Sequence, residues 1–385
     1  IWGALGRMAP RNVVNSISRT AVAVAALMVA VSVTIGVSLM IGSFRTTVVT
    51  WLDQVLQGDV YVSAPSRTST QATTPLDPAV LPLVETWPGV ERVDLLRTAT
   101  VESPEGTVSV FGVYNPDFGE RPFLGDISAD EVWAAMEGGA VVVSEPYANL
   151  VGLPRRGGTV TLYTAAGPQD FPVAGIYYDY VTSRGTVSMS LDTYRRLWND
   201  DALTALAIRL APGVDTDIVA RELGDALAPI QRVFVRPNQA LRAEALVIFD
   251  RTFAITGALQ LLATIVAFIG VLSALLSLLL DKQREVGILR AVGLTARQLW
   301  GLVMLETGLM GAVAGLLAMP TGFVLSLILI YIINRRSFGW TLQMEVDAAP
   351  FLTALAVAVV AALLAGIYPA RRMAKMLTAD ALRYE

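Results

Sequence analysis

Four long runs without a charged residue constrain this sequence more than any other feature. They cover residues 20–44, 252–280, 307–334 and 348–370, and each is at least 23 residues long. A helix needs about 20 apolar residues to cross the hydrocarbon core of a bilayer. Only 16% of the residues are charged, against roughly 25% in soluble domains. The sequence therefore predicts four transmembrane helices rather than buried helices of a water-soluble protein, which are usually shorter.

Positive charge is distributed unevenly between the segments that these runs separate. Residues 1–19, 281–299 and 371–385 carry net charges of +3, +2 and +2, whereas residues 46–250 contain 14 Arg against 26 Asp plus Glu. Segments on the cytoplasmic side of a membrane are enriched in Lys and Arg. We therefore expect both termini and residues 281–299 to be cytoplasmic, and residues 46–250 to be extracytoplasmic.

The expected fold class is an α-helical membrane protein with one large extracytoplasmic α+β domain inserted between the first and second spans. Arg335 and Arg336 fall in the outer loop, although basic residues are enriched on the cytoplasmic side. This exception is acceptable because their long side chains can reach lipid headgroups from a helix end. The predicted segments are a cytoplasmic amphipathic N-terminal segment (1–19), span 1 (20–44), the α+β domain with stalk extensions (45–250), span 2 (251–280), a cytoplasmic connector helix (281–299), span 3 (300–334), an outer loop (335–347), span 4 (348–370) and a cytoplasmic tail (371–385).

The inserted domain shows alternating strand and helix signals. Polar turns such as "SPEG" and "RRGG" separate its β-rich runs, and helical patterns occur between them. Strands are predicted to begin near Asp59, Thr107, Ala140, Thr159, Phe171 and Thr186, and helices to cover Asp130–Glu137, Asp192–Trp198 and Asp215–Leu227. This order favours an α+β domain over a β-sandwich.

Several classes of chemistry are excluded by residue types. The chain has no His and no Cys, so it offers no disulfide, no His or Cys metal ligand and no His-based catalysis. Its two lysines, Lys282 and Lys375, do not follow glycine, so there is no Gly-Lys-Ser/Thr phosphate-binding loop. The acidic domain would repel nucleic acid. We therefore expect no catalytic residue, no metal and no bound cofactor in this chain.

Two features of the third span are candidates for function. Gly311, Gly315 and Gly322 contribute to a stripe of small residues, which lets helices approach closely and could pack against other spans or a second permease subunit. Glu306 is the charged residue within the spans, and an intramembrane carboxylate is a functional candidate. It lies nine residues after Arg297, about 13 Å along a helix, where it could also be hydrated or paired with an arginine.

The connector between the second and third spans combines basic, glycine and aliphatic residues in "REVGILRAVGLTARQL", residues 284–299. Gly293 is suited to a left-handed helix stop, and Thr295 with Gln298 has capping-box spacing for a second helix. Ile288, Leu289 and Val292 fall on one helical face by their i, i+3 and i+4 spacing. This pattern is typical either of an amphipathic segment on anionic lipid or of a knob that inserts into a groove of a cytoplasmic partner.

The same stretch resembles the coupling segment of FtsX-like, MacB-type ABC transporter permeases. "RNVVNSISRTAV" before span 1 and "YPARRMAKMLTADALRYE" after span 4 also resemble this family, while Leu294 departs from its usual small residue. The resemblance covers the whole chain and implies that nine residues contact an ATPase. These residues are Arg284, Glu285, Gly287, Ile288, Leu289, Arg290, Ala291, Val292 and Gly293.

The resemblance also implies a function and partners. A chain of this family in the bacterial cell membrane would be a permease subunit, driven by a separate cytoplasmic ATPase dimer that binds ATP and Mg. It would export or extract a lipid, lipoprotein, peptide or antibiotic. Alternatively, it would transport nothing and activate an extracytoplasmic cell-wall hydrolase. The start at Ile1 resembles the second half of ten-span relatives, so the partner could be a second permease copy or a fused N-terminal half, besides an extracytoplasmic protein and membrane lipids.

Overall fold

The computed structural model describes residues 17–66, 72–115, 123–125, 127–180, 182, 184–281, 288 and 292–375. The chain divides into two units. The helical unit comprises Ile1–Phe44, Arg251–Ile333 and Gln343–Glu385, and the α/β unit comprises Arg45–Asp250 and Asn334–Leu342.

Long apolar helices make up the helical unit. They are α1 (Ile17–Val55), α7 (Asn238–Asp281), α8 (Ala296–Leu327) and α10 (Ala349–Lys375). A π-helix, Ile328–Asn334, and the short α9, Arg335–Phe338, continue α8. By length and composition, four candidate spans lie in these helices, as the uncharged runs predict. The helix that contains span 3 continues past residue 334, because α9 carries it through Arg335 and Arg336.

The core of the helical unit contains large aliphatic side chains from α1 and mostly alanines from α8 and α10. The buried residues of this core are Leu27, Val31, Ile35 and Leu39 of α1, Met310, Ala314 and Ala318 of α8, and Ala354, Ala358, Ala362 and Ala365 of α10. Alanines allow helix axes to approach closely, which increases van der Waals contact where lipid supplies no hydrophobic driving force. Helix α8 continues through Pro320.

A mixed nine-stranded sheet organises the α/β unit, in the order β5-β6-β4-β7-β3-β2-β8-β1-β9. Only the β3–β7 and β4–β6 pairs are parallel among the described pairings. The strands are β1 (Val60–Ser63), β2 (Val90–Ser103), β3 (Gly106–Tyr114), β4 (Val141–Ser144), β5 (Thr159–Thr164), β6 (Gly167–Tyr177), β7 (Thr186–Ser190), β8 (Ala205–Leu210) and β9 (Phe234–Pro237).

Five shorter helices accompany this sheet: α2 (Val80–Glu85), α3 (Ala129–Glu137), α4 (Glu145–Val151), α5 (Leu191–Trp198) and α6 (Thr216–Leu227). Local capping explains where two of them begin. The Asp215 carboxylate accepts hydrogen bonds from the N–H groups of Asp217 and Ile218, and the Ser190 hydroxyl accepts one from Thr193. The structure confirms the α+β class and the insertion of the domain between the first two spans.

The sequence patterns identified six of the strands and three of the helices in this unit. They did not identify β2, β8, β9, α2 or α4. The long β2 has charged residues at irregular intervals, at Glu91, Arg92, Asp94 and Arg97, so it lacks a clean alternation of apolar and polar positions. Its pairing with β3 and β8 overrides that weak local signal.

Candidate functional site

The described end of the connector forms a sharp turn before α8. The Val292 N–H donates to the Ile288 carbonyl at 3.0 Å, and Gly293 follows with φ +107°. A φ in this region suits glycine, because a Cβ would clash with the backbone. Gly293 therefore stops the preceding helical turn, as its position in the sequence predicts.

A capping box then begins α8. The Thr295 hydroxyl accepts from the Gln298 N–H at 3.3 Å, and the Gln298 side chain accepts from the Thr295 N–H at 2.9 Å. Leu294 packs against a small buried cluster of Leu299, Val303 and Ala370. The turn is thus fixed to the ends of α8 and α10.

Two apolar side chains of the connector are exposed next to this fixed turn. Ile288 is 50% exposed and Val292 is 83% exposed. The other predicted contact residues, Arg284, Glu285, Gly287, Leu289, Arg290 and Ala291, lie outside the residues that the structure describes.

The three glycines of the third span lie at close contacts between helices of the same chain. A Cβ on Gly311 would lie 2.7 Å from the Ala362 Cβ, and one on Gly322 would lie 2.7 Å from the Ile35 Cβ. At Gly315, a Cβ would approach Leu355 to 2.6 Å. Gly311 and Gly315 therefore face α10, whereas Gly322 faces α1.

Glu306 is 7% exposed in the helical unit. The next residue, Thr307, is also buried, and its side chain fills the space where a Cβ on Gly366 would lie, at 2.6 Å. Glu306 therefore directly precedes a residue of α8 that packs tightly on α10.

In the α/β unit, polar contacts join the last part of α1 to the first part of α7. Arg45 pairs with Asp250 at 3.3 Å, and Arg242 pairs with Asp53. The Asn238 amide donates to the Leu56 and Gly58 carbonyls, both at 2.7 Å. These residues are far apart in sequence, so neither periodicity nor spacing could identify the pairs.

Tyr61 lies beside this junction, in β1. Its hydroxyl accepts a hydrogen bond from the Gly58 N–H at 2.9 Å. Burial raises the pKa of Tyr61 to about 12, although the Gly58 bond acts in the opposite direction. The phenol is therefore neutral at physiological pH and holds the segment that leaves α1 against the sheet.

Comparison with known proteins assigns both parts of the chain to described families. Residues 20–226 match the MacB-like periplasmic core domain, and residues 257–378 match the FtsX-like permease C-terminal domain. The second match includes the connector, α8 and α10. The chain belongs to the FtsX-like, MacB-type family of ABC transporter permeases.

Two curated relatives match this permease over different shares of its length. It is 45% identical to an ABC transporter permease protein of Mycobacterium tuberculosis over 390 residues, which cover 100% of this chain and 46% of that protein. It is 32% identical to the lipoprotein-releasing system transmembrane protein LolC of Haemophilus influenzae over 130 residues, covering 34% and 33% of the two chains. This permease therefore spans about half the length of the mycobacterial relative.

Among solved structures, the periplasmic region of MacB from Actinobacillus actinomycetemcomitans matches 50% of this permease and 95% of that chain, with 11% identity and a TM-score of 0.35. The extracellular domain of the transporter YknZ from Gram-positive bacteria matches 47% and 100%, with 12% identity and a TM-score of 0.32.

Proposed function

We propose that this permease couples ATP hydrolysis by a separate cytoplasmic ATPase to motion of its α/β unit. The motion would export or extract a lipid, lipoprotein, peptide or antibiotic. In this arrangement the termini and the connector face the cytoplasm, the α/β unit is extracytoplasmic, and ATP with Mg binds to the partner.

The observation that supports ATPase docking is the exposed pair Ile288 and Val292. Both side chains are apolar and at least half exposed, and they precede a turn that Gly293 and the capping box of α8 hold in place. Rigid apolar side chains at the surface are characteristic of binding sites, because their burial against a partner lowers the free energy without a large loss of conformational entropy.

A second transmembrane half is the other partner that we propose. The mycobacterial relative is about twice as long as the matched region. The partner would therefore be either a further permease half fused in the same polypeptide or a second permease copy.

Docking is tested by changing Val292→Asp in the permease co-expressed with its ATPase. Because Val292 is 83% exposed, the change should not disturb folding. In the complex it would bury an unpaired carboxylate, so we expect the affinity for the ATPase to fall by about 100-fold or more. Co-purification and ATP hydrolysis by the complex measure the effect.

Val346→Asp is the matched control, because Val346 is also exposed, at 56%, but lies in the segment between spans 3 and 4. It should leave both measurements unchanged. Equal co-purification of the Val292→Asp and Val346→Asp variants would refute docking through the connector. A separate experiment, cross-linking from the α/β unit in cells, distinguishes a transported cargo from a stably bound hydrolase.

A further inference from the structure

The segment between spans 3 and 4 belongs to the α/β unit, although the sequence places it between two membrane helices. Asn334–Leu342 groups with Arg45–Asp250, whereas the residues on either side group with the helical unit. We call residues 334–342 the docked loop. The chain therefore passes between the units at four points: two lie within α1 and α7, and the other two flank the docked loop.

Glu145 binds Thr341, the second-last residue of the docked loop. Its carboxylate accepts hydrogen bonds from the Thr341 N–H at 2.8 Å and from the Thr341 hydroxyl at 2.5 Å. The Tyr180 hydroxyl donates to the Thr341 carbonyl at 2.9 Å. Every hydrogen-bonding group of Thr341 thus has a partner from the inserted domain. Glu145 is 3% exposed, so these bonds are shielded from water.

Further contacts hold the rest of the docked loop. The Asn149 amide donates to the Gly339 carbonyl at 2.5 Å. Trp340 is 8% exposed and contacts the Tyr180 ring edge-to-face, with centroids 5.8 Å apart. Burial also raises the pKa of Tyr180. Gly339, with φ +78°, lies so close to α4 that a Cβ there would be 3.4 Å from the Pro146 Cα.

The start of the docked loop is connected to span 3 through an unusual helix end. The π-helix Ile328–Asn334 leads directly into it, and π-helical turns occur frequently at functional sites. The Asn334 amide donates to the Trp340 carbonyl at 3.0 Å, and the Trp340 ring N–H donates to the Asn334 side-chain oxygen at 3.2 Å. Span 3 therefore leads into a loop that these bonds close, and Glu145 binds Thr341 directly after the closure.

We propose that the docked loop is a force-bearing linkage that stays bound to the inserted domain through the ATPase cycle, with Glu145 as its positioning residue. This rests on the proposed function, because the linkage would carry movement of spans 3 and 4 to the domain. Helices α1 and α7 would then share the load with a third connection. A loop that merely covered the domain would not need a buried carboxylate bound to both donors of one residue.

The test compares Glu145→Ala, Glu145→Gln and Thr341→Val in the full permease with its ATPase in proteoliposomes. Glu137→Ala is the control, since Glu137 is exposed on the neighbouring α3. Loss of two hydrogen bonds to a charged group should speed amide exchange of residues 334–342 by about tenfold or more in Glu145→Ala. Thr341→Val should give a smaller increase, and Glu145→Gln should restore exchange to within about threefold of the wild type.

Spin labels at Ala166→Cys and Val346→Cys report whether the docked loop bears load; the native chain has no Cys to interfere. We expect the same distance distribution in the wild type and in Glu137→Ala. In Glu145→Ala the distribution should become about twofold wider, and in Glu145→Gln it should narrow again. Fast loop exchange with an unchanged distribution would overturn the proposal, because the released loop would then have carried no load.

A disulfide tests whether the loop stays bound during turnover. A Cβ on Gly339 would lie 3.6 Å from the Pro146 Cβ, within the range of about 3.5–4.5 Å that a disulfide spans. Oxidised Pro146→Cys/Gly339→Cys permease should hydrolyse ATP within twofold of its reduced form. The comparison is made within this one variant, because a side chain at the positive φ of Gly339 is strained in both forms. Inhibition by oxidation that a reductant reverses would overturn the proposal. If the wild-type permease does not affect ATP hydrolysis by the ATPase, the proposed function fails. Amide exchange of residues 334–342 and the distances between the spin labels, both measured without nucleotide, still decide whether the loop restrains the domain.

Discussion

Gly311→Ala tests the close packing of α8 on α10 with a single methyl group. The new Cβ would lie 2.7 Å from the Ala362 Cβ, 2.8 Å from the Ala358 carbonyl oxygen and 3.0 Å from the Val359 Cα. Optimal contacts between carbon atoms are about 3.5–4.0 Å. Two of these three neighbours are backbone atoms, so no change of side-chain rotamer can relieve the overlap. The helices must separate.

The magnitude follows from a matched control on the same helix. Gly301→Ala places its Cβ where no atom lies within 4 Å. Both changes gain about 1 kcal/mol of helix propensity, so the difference between the two variants isolates the steric effect. Overpacking typically costs about 1–3 kcal/mol. We therefore expect Gly311→Ala to be less stable than Gly301→Ala by about 1–3 kcal/mol.

The assay is unfolding of the detergent-solubilised permease by increasing SDS, followed by circular dichroism. The free energy of unfolding of each variant is compared with that of the wild type under the same conditions. Equal stabilities of the two variants, within about 0.5 kcal/mol, would refute the packing argument, since ordinary surface substitutions fall within that range.

Two further predictions concern the α/β unit. Asp200→Asn should lower its stability by about 1.5–3 kcal/mol, because Asp200 accepts from Arg97 at 2.6 Å and from the Tyr194 hydroxyl at 3.1 Å; thermal unfolding measures this. Burial acts to raise the pKa of Asp200, but the hydrogen bonds from Ala202 and Arg97 outweigh it and leave the pKa lowered. The stabilisation should therefore be lost as the pH falls through this lowered pKa. A wild type that loses no stability on acidification relative to Asp200→Asn would contradict this. Tyr61 has a raised pKa of about 12, so its contribution to the stability of the α/β unit is complete below pH 10 and is lost as the pH rises towards 12. Tyr61→Phe should remove this part of the alkaline destabilisation. Identical dependence of stability on alkaline pH in the wild type and in Tyr61→Phe would refute the assignment.

The connector shows which local features can be predicted from sequence. Gly293 adopts a positive φ and Thr295 forms a capping box with Gln298, as their spacing predicts. Both features depend on residues within one or two turns of helix, so local chemistry is sufficient. The glycine stripe of span 3 predicted close helix contacts, but not that Gly311 and Gly315 face α10 while Gly322 faces α1.

The sequence by itself determined the four apolar helices, the inserted α+β domain and the family, because run length, alternation and motif are properties of neighbouring residues. Only the tertiary structure decided that residues 334–342 belong with the inserted domain. Glu145 and Thr341 are 196 positions apart, and each is unremarkable in its local sequence. A buried hydrogen bond between such residues depends on the sheet that places α4 beside the docked loop, and no local pattern encodes that placement.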